Sequence, residues 1–217
     1  MSSQTLNYGY KVAYQLATEQ MAKVDIAEQC ARSDARCWEV DAAKIVVLEY
    51  LNRLHEISLP DVDVSAKDGQ PVPIKDKILI LHYFTLATGR PLSSKLITYK
   101  ELPGGMTYLP TFTKRAIKPV VDNFGGEPRR LMDVAKELGG YRADFGDAGV
   151  TVNAFPRVPI TYVLWRGDEE FPAQGNILFD STVTDYLTIE DINVLCETIA
   201  WRLVKLSKVG GDNPGRR

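Results

Sequence analysis

The sequence holds only three cysteines and two histidines in 217 residues. Cys30 and Cys37 are separated by six residues and Cys196 is remote, so the short double spacing of zinc and iron–sulfur ligands is missing. An odd cysteine count fits a reducing compartment, and free thiols are expected. No run approaches the roughly 20 consecutive apolar residues that span a bilayer. Met1-Ser2-Ser3-Gln4-Thr5 has no basic start followed by an apolar core, so neither a signal peptide nor a membrane segment is expected, and the chain is read as cytoplasmic. An excess of positive charge is missing too. The net charge is -2, and affinity for phosphate backbones needs clustered Lys and Arg. Lys114-Arg115, Lys118 and Arg129-Arg130 read as solvated helix faces, so nucleic acid is not expected as a partner.

The short catalytic signatures are absent as well. There is no G-x-G-x-x-G, no G-x-x-x-x-G-K-[ST] and no G-x-S-x-G. His55-Glu56 starts like a zinc-protease helix, but Leu59 stands where the second histidine belongs.

What is present is ordinary globular material: 45% hydrophobic and 25% charged residues, enough for a core without a metal or disulfide staple. The length suits one domain, placed at residues 1–208 with a disordered tail at 209–217. Residues 5–32 read as one helix. Ile45–Leu51 and Leu54–Leu59 read as a hairpin, with a short helix as the alternative, and residues 60–73 as a polar loop. Residues 74–88 are the most hydrophobic segment, and Ile78 to Phe84 is apolar on every side apart from His82, the mark of a central helix stopped by Gly89-Arg90-Pro91. Leu96–Tyr99 reads as a strand, 111–123 and 128–138 as helices, and 150–152, 160–165 and 176–179 as strands. From Thr188 onward, Ile192, Leu195, Cys196, Ile199, Leu203 and Leu206 form one apolar stripe behind a capping hydroxyl and two acids. Helices and strands come in blocks joined by hairpins, which predicts an α+β fold with a mostly antiparallel sheet packed with helices.

Two places invite chemistry. His82 sits inside the apolar helix, where an imidazole is either bonded to a neighbouring carbonyl or carboxylate, or serves as a tetrapyrrole axial ligand or general base. His55 reads as a surface residue. The second place is WRGDEEFPAQGNILFD (165–180), where three acids interrupt two apolar runs. Asp168 and Glu170 can share a face, with Asp180 joining only if the register allows. Either Asp168 caps the turn and Glu170 pairs with Arg166 or another base, or the acids form a metal or catalytic group.

Five pieces in order carry a resemblance: KILILHYFTLATGRPL (77–92), ITYKELPGG (97–105), ELGG (137–140), PRVPITYVLWRGDEEFPA (156–173) and ILFDSTVTDYLTIED (177–191). On these the chain resembles the domain-of-unknown-function family thirty-seven eighty-six, over roughly residues 8–206. Gly167-Asp168, Glu170-Phe171-Pro172 and Phe179-Asp180 are its most specific part. The resemblance implies a protein of anaerobic bacteria and archaea. Some members carry a four-cysteine iron–sulfur module similar to that of corrinoid/iron–sulfur methyl-transfer proteins, which implies anaerobic redox or corrinoid metabolism. This chain lacks that module's cysteines. The resemblance therefore implies a stand-alone partner or cofactor-handling domain.

Three functions are consistent with these readings. In the first, the chain is a binding or accessory protein for a corrinoid or other tetrapyrrole, with a corrinoid/iron–sulfur or redox protein as partner. His82, Tyr83 and Tyr99 would line an apolar pocket, and Arg166 would meet propionate or phosphate groups. In the second, Asp168, Glu170 and Asp180 serve an enzyme. In the third, the chain is a ligand-free interaction domain.

Overall fold

The computed structural model describes residues 3–40 and 43–211 and has the expected α+β architecture in one domain. Its strands form two antiparallel sheets rather than one. The first comprises β1 (Arg36–Val40), β2 (Ala43–Tyr50), β3 (Arg53–Leu59) and β4 (Asp63–Ala66), paired in chain order. The second comprises β5 (Leu96–Thr98), β6 (Tyr141–Ala143), β7 (Ala148–Phe155), β8 (Val158–Trp165) and β9 (Gln174–Asp180), in the order β5-β9-β8-β7-β6.

The two apolar runs at 45–59 do form a hairpin. Leu51 and Asn52 supply two successive left-handed residues (φ 49° and 61°), the backbone that a two-residue reversal demands. β4 overturns the reading of 60–73 as loop throughout. Val64 and Ala66 are buried while Asp63 and Ser65 face out, the alternation of a half-buried strand. The same alternation along β3 buries His55, which is 2% exposed rather than on the surface.

The expected single helix at 5–32 is two helices, α1 (Ser3–Met21) and α2 (Ile26–Ser33). Asp25 restarts the chain by accepting the Glu28 N–H at 2.8 Å, as an N-cap does. α3 (Ile74–Leu86) is central, as its composition predicts: Ile78, Leu79, Ile80, Leu81, Tyr83 and Phe84 are buried. The buried Gln29 amide of α2 donates to the Phe84 and Thr85 carbonyls at 2.8 Å each, closing the end of α3. α4 (Gly105–Phe112) and α5 (Lys118–Phe124) are joined by one wide turn in which the Lys118 N–H reaches the Thr113 carbonyl. Pro119 has no N–H for Arg115, and its ring would crowd the Arg115 carbonyl, so the ladder widens there. α6 (Arg129–Ala135) follows. α7 (Ile189–Gly211) closes the fold, with Ile192, Leu195, Cys196, Ile199 and Leu203 buried along the predicted stripe. Residues 212–217 of the expected tail lie outside the described residues.

Phe155 of β7 joins the two sheets. It stacks on Tyr83 of α3 at 4.1 Å between ring centroids and lies 4.9 Å from Tyr50 of β2. Beside that joint, the Leu51 N–H bonds the Ala154 carbonyl at 3.0 Å. α7 covers the second sheet, where the Tyr162 hydroxyl donates to the Cys196 carbonyl at 2.8 Å. No helix among the described residues is long and apolar enough to cross a membrane.

Candidate functional site

The structure does not bring His82, Tyr83 and Tyr99 into one pocket. Successive residues on a helix point about 100° apart, so His82 faces α7 while Tyr83 turns into the core. Tyr83 is fully buried and its hydroxyl donates to the Ser33 carbonyl at 2.8 Å. Burial pushes its ionisation far above the ordinary range. Tyr99 stacks on Phe112 with centroids 3.8 Å apart and planes 6° from parallel. Burial raises its hydroxyl as well, against an opposing effect from Asn193. That hydroxyl has no partner in hydrogen-bond geometry among the described residues. Both tyrosines are core residues, and neither presents a face to a ligand.

His82 is different. Its imidazole Nδ1 lies 2.7 Å from Asp191 Oδ1, and its side chain is 29% exposed against 7% for Asp191. The other oxygen, Oδ2, accepts the Thr188 hydroxyl at 2.7 Å and the Thr188 N–H at 3.1 Å, while the Asp191 N–H returns to Thr188 Oγ1. One carboxylate therefore caps α7 and orients the histidine. Because a carboxylate only accepts, Nδ1 carries the proton, and the Nε2 lone pair of the neutral ring is left for another partner. The sequence marks Asp191 as one of two acids in the first turn behind the Thr188 cap. Nothing local reveals its bond to a residue 109 positions away.

At the other end of the α3–α7 seam, Asp76 is 1% exposed. It accepts Arg202 Nη2 at 2.6 Å and the Tyr50 hydroxyl at 3.2 Å. Burial, then the Asp76 charge, pushes Tyr50 well above its ordinary value. His55 packs edge-on against Tyr50 at 5.6 Å, and burial lowers its affinity for a proton.

The acids of 165–180 also separate. Asp168 Oδ1 accepts the N–H groups of Glu170 (2.9 Å) and Phe171 (2.7 Å), so it caps the loop. Glu170 is exposed and pairs with neither Arg166 nor another base among the described residues, contrary to one expectation above. Asp180 stands at the far end of β9, seven residues long, hence roughly 20 Å from the loop. There it accepts five hydrogen bonds: from the N–H and hydroxyl of Ser93, the Ser94 N–H, and the N–H and hydroxyl of Thr182. Burial would raise its pKa, but the Thr182 and Ser93 donors prevail and hold it at about 2. The three carboxylates share no centre. No group of three His, Cys, Asp or Glu positioned for a metal ion occurs among the described residues.

Arg166 lines an open cleft of about 760 Å³ with Gly126, Glu127, Pro128, Arg129 and Asp147. Its main-chain N–H donates to Asp147 Oδ2 at 2.7 Å.

With this geometry in place, comparison with protein families gives a match. Residues 25–202 fit the profile described as Domain of unknown function (DUF3786), which covers most of the chain, and the chain belongs to that family. Neither the comparison with curated proteins nor that with solved structures returned a match.

Proposed function

We propose that this chain is a cytoplasmic accessory protein of anaerobic corrinoid or other tetrapyrrole metabolism, and that it offers His82 to a metal held in a macrocycle. The observation that carries the reading is the His82–Asp191 pair. Metal-binding histidines as a rule donate the second ring N–H to a carboxylate or carbonyl, which fixes the tautomer and strengthens the free nitrogen as a ligand. A bare metal ion asks for several protein ligands, which the described residues do not group. A tetrapyrrole brings four nitrogens of its own and asks only for an axial one.

His82 is the residue that would hold such a metal, and the residues around it form no enclosing pocket. Tyr83 and Tyr99 are locked in the core, and His82 sits at the surface with the half-exposed Leu86 one turn further on. The macrocycle is therefore carried by a partner, a corrinoid/iron–sulfur or redox protein, and this chain supplies the imidazole. The rival reading, an enzyme built on Asp168, Glu170 and Asp180, lacks a common centre. A hydrolytic triad at His82 also lacks support, since no hydroxyl or thiol side chain bonds its ring among the described residues.

The test is a titration of anaerobically purified protein with aquocobinamide and with iron protoporphyrin, read by absorption. The expected result is a band shift with one of them that disappears in His82→Ala and weakens in Asp191→Asn. No shift with either, or a shift that His82→Ala leaves intact, overturns the tetrapyrrole reading.

A further inference from the structure

Three loops meet at one end of the second sheet: residues 125–128 between α5 and α6, 144–147 between β6 and β7, and 166–173 between β8 and β9. They are pinned to one another. The Asp147 N–H bonds the Leu164 carbonyl at 2.9 Å while its Oδ2 holds the Arg166 N–H. Gly125 passes so close to the third loop that a Cβ there would stand 2.5 Å from the Ala173 Cβ. Asp168 closes that loop from within. The backbone of Arg166 is thus held firmly, and Arg166 lines the same cleft as Arg129.

Charge pairing sets these two arginines apart from their neighbours. In the adjoining hollow, which also contains Arg129 and Asp147, the other cations have acid partners: Lys136 with Asp133 at 2.9 Å and Arg142 with Asp144 at 3.0 Å. Neither Arg129 nor Arg166 has an acid within ion-pair distance among the described residues. Two arginines without an ion-pair partner on one cleft supply guanidinium forks of the kind that match the paired oxygens of a carboxylate or a phosphate. The cleft's volume lies within the range of small-molecule sites. Glu127 and Asp147 on the same walls balance the formal charge, which disfavours polyphosphates and nucleic acid.

We infer that this cleft binds a small metabolite through a single oxyanionic group, a phosphate ester or a carboxylate, gripped between Arg129 and Arg166, with Glu127 and Asp147 accepting hydrogen bonds from the rest of the molecule. The site stands apart from His82 and does not depend on it.

Nitrogen-15 spectra of the arginine Nε–Hε groups test it, with inorganic phosphate and acetate as probes and chloride at matched ionic strength as control. The expected result is a saturable shift of Arg129 and Arg166 together, with one common Kd, for at least one probe; which probe binds tighter identifies the head group. Arg129→Gln and Arg166→Gln should each weaken binding about tenfold or more, Arg166→Lys should weaken it less, and His82→Ala should leave it unchanged. Spectral dispersion verifies that each variant is folded. Shifts no larger than with chloride, or shifts that persist in Arg166→Gln, overturn the site.

Discussion

Asp180 shows how much a single carboxylate organises. Its five donors come from the segment before β5 and the turn after β9, so it ties the two edges of that corner together. Its pKa falls from 3.8 to about 2 on folding. The unfolded chain therefore takes up a proton first, and the contribution is complete above pH 3.8 and lost as pH falls toward 2. A shift of that size corresponds to about 2 kcal/mol. Urea unfolding at pH 7, 4 and 2.5 should show this loss in the parent chain. It should be smaller in Asp180→Asn, which starts less stable at pH 7. His55 adds an earlier loss of the same sign, beginning below its ordinary value of 6.5, because burial disfavours its charged form.

At the scale of elements, the seam between α3 and α7 is decisive. It is apolar along its length and carries one polar clamp at each end, His82–Asp191 and Asp76–Arg202. The second clamp leaves a carboxylate fully buried if its partner is removed. Arg202→Ala should therefore cost about 3 kcal/mol, the usual penalty for breaking a buried pair. The double variant with Asp76→Ala should cost less than the sum of the two single changes, as measured by chemical denaturation. Such pairings mark the limit of reading a sequence. The apolar run of α3, the stripe of α7 and the β2–β3 hairpin are local patterns, and each is present where its periodicity puts it. β1 and β6 went unseen because short exposed strands have no signal apart from the partner they pair with. The α1–α2 break went unseen because it contains neither glycine nor proline, only the cap at Asp25. His82 stood out in the sequence as a lone imidazole in apolar company, but its partner Asp191 and the Arg129–Arg166 pair arise from contacts between distant segments.

On the scale of the whole molecule, the two sheets share one core, and particular contacts join them. One is Phe155, which stacks on Tyr83 and packs at a tilt against Tyr50. Another is Gly139, at φ +69°, where a Cβ would come within 2.8 Å of the Asn52 side chain at the hairpin tip. Gly139→Ala should cost about 1–2 kcal/mol through the left-handed backbone alone, and the contact adds to it. If the sheets unfold as one unit, fluorescence from Trp38 alone and from Trp165 alone, in variants that keep one tryptophan, should give coincident midpoints. Gly139→Ala should then move both by the same amount.

The Asp76–Arg202 clamp also has a consequence in time. A chain made from its N-terminus presents β1 to β4 and α3 long before α7 exists, and the strands of the first sheet can pair in the order in which they appear. Asp76 nevertheless remains without its cation until residue 202 has been added. The first sheet and α3 can take shape early, but they cannot bury Asp76 with its partner until α7 has been made.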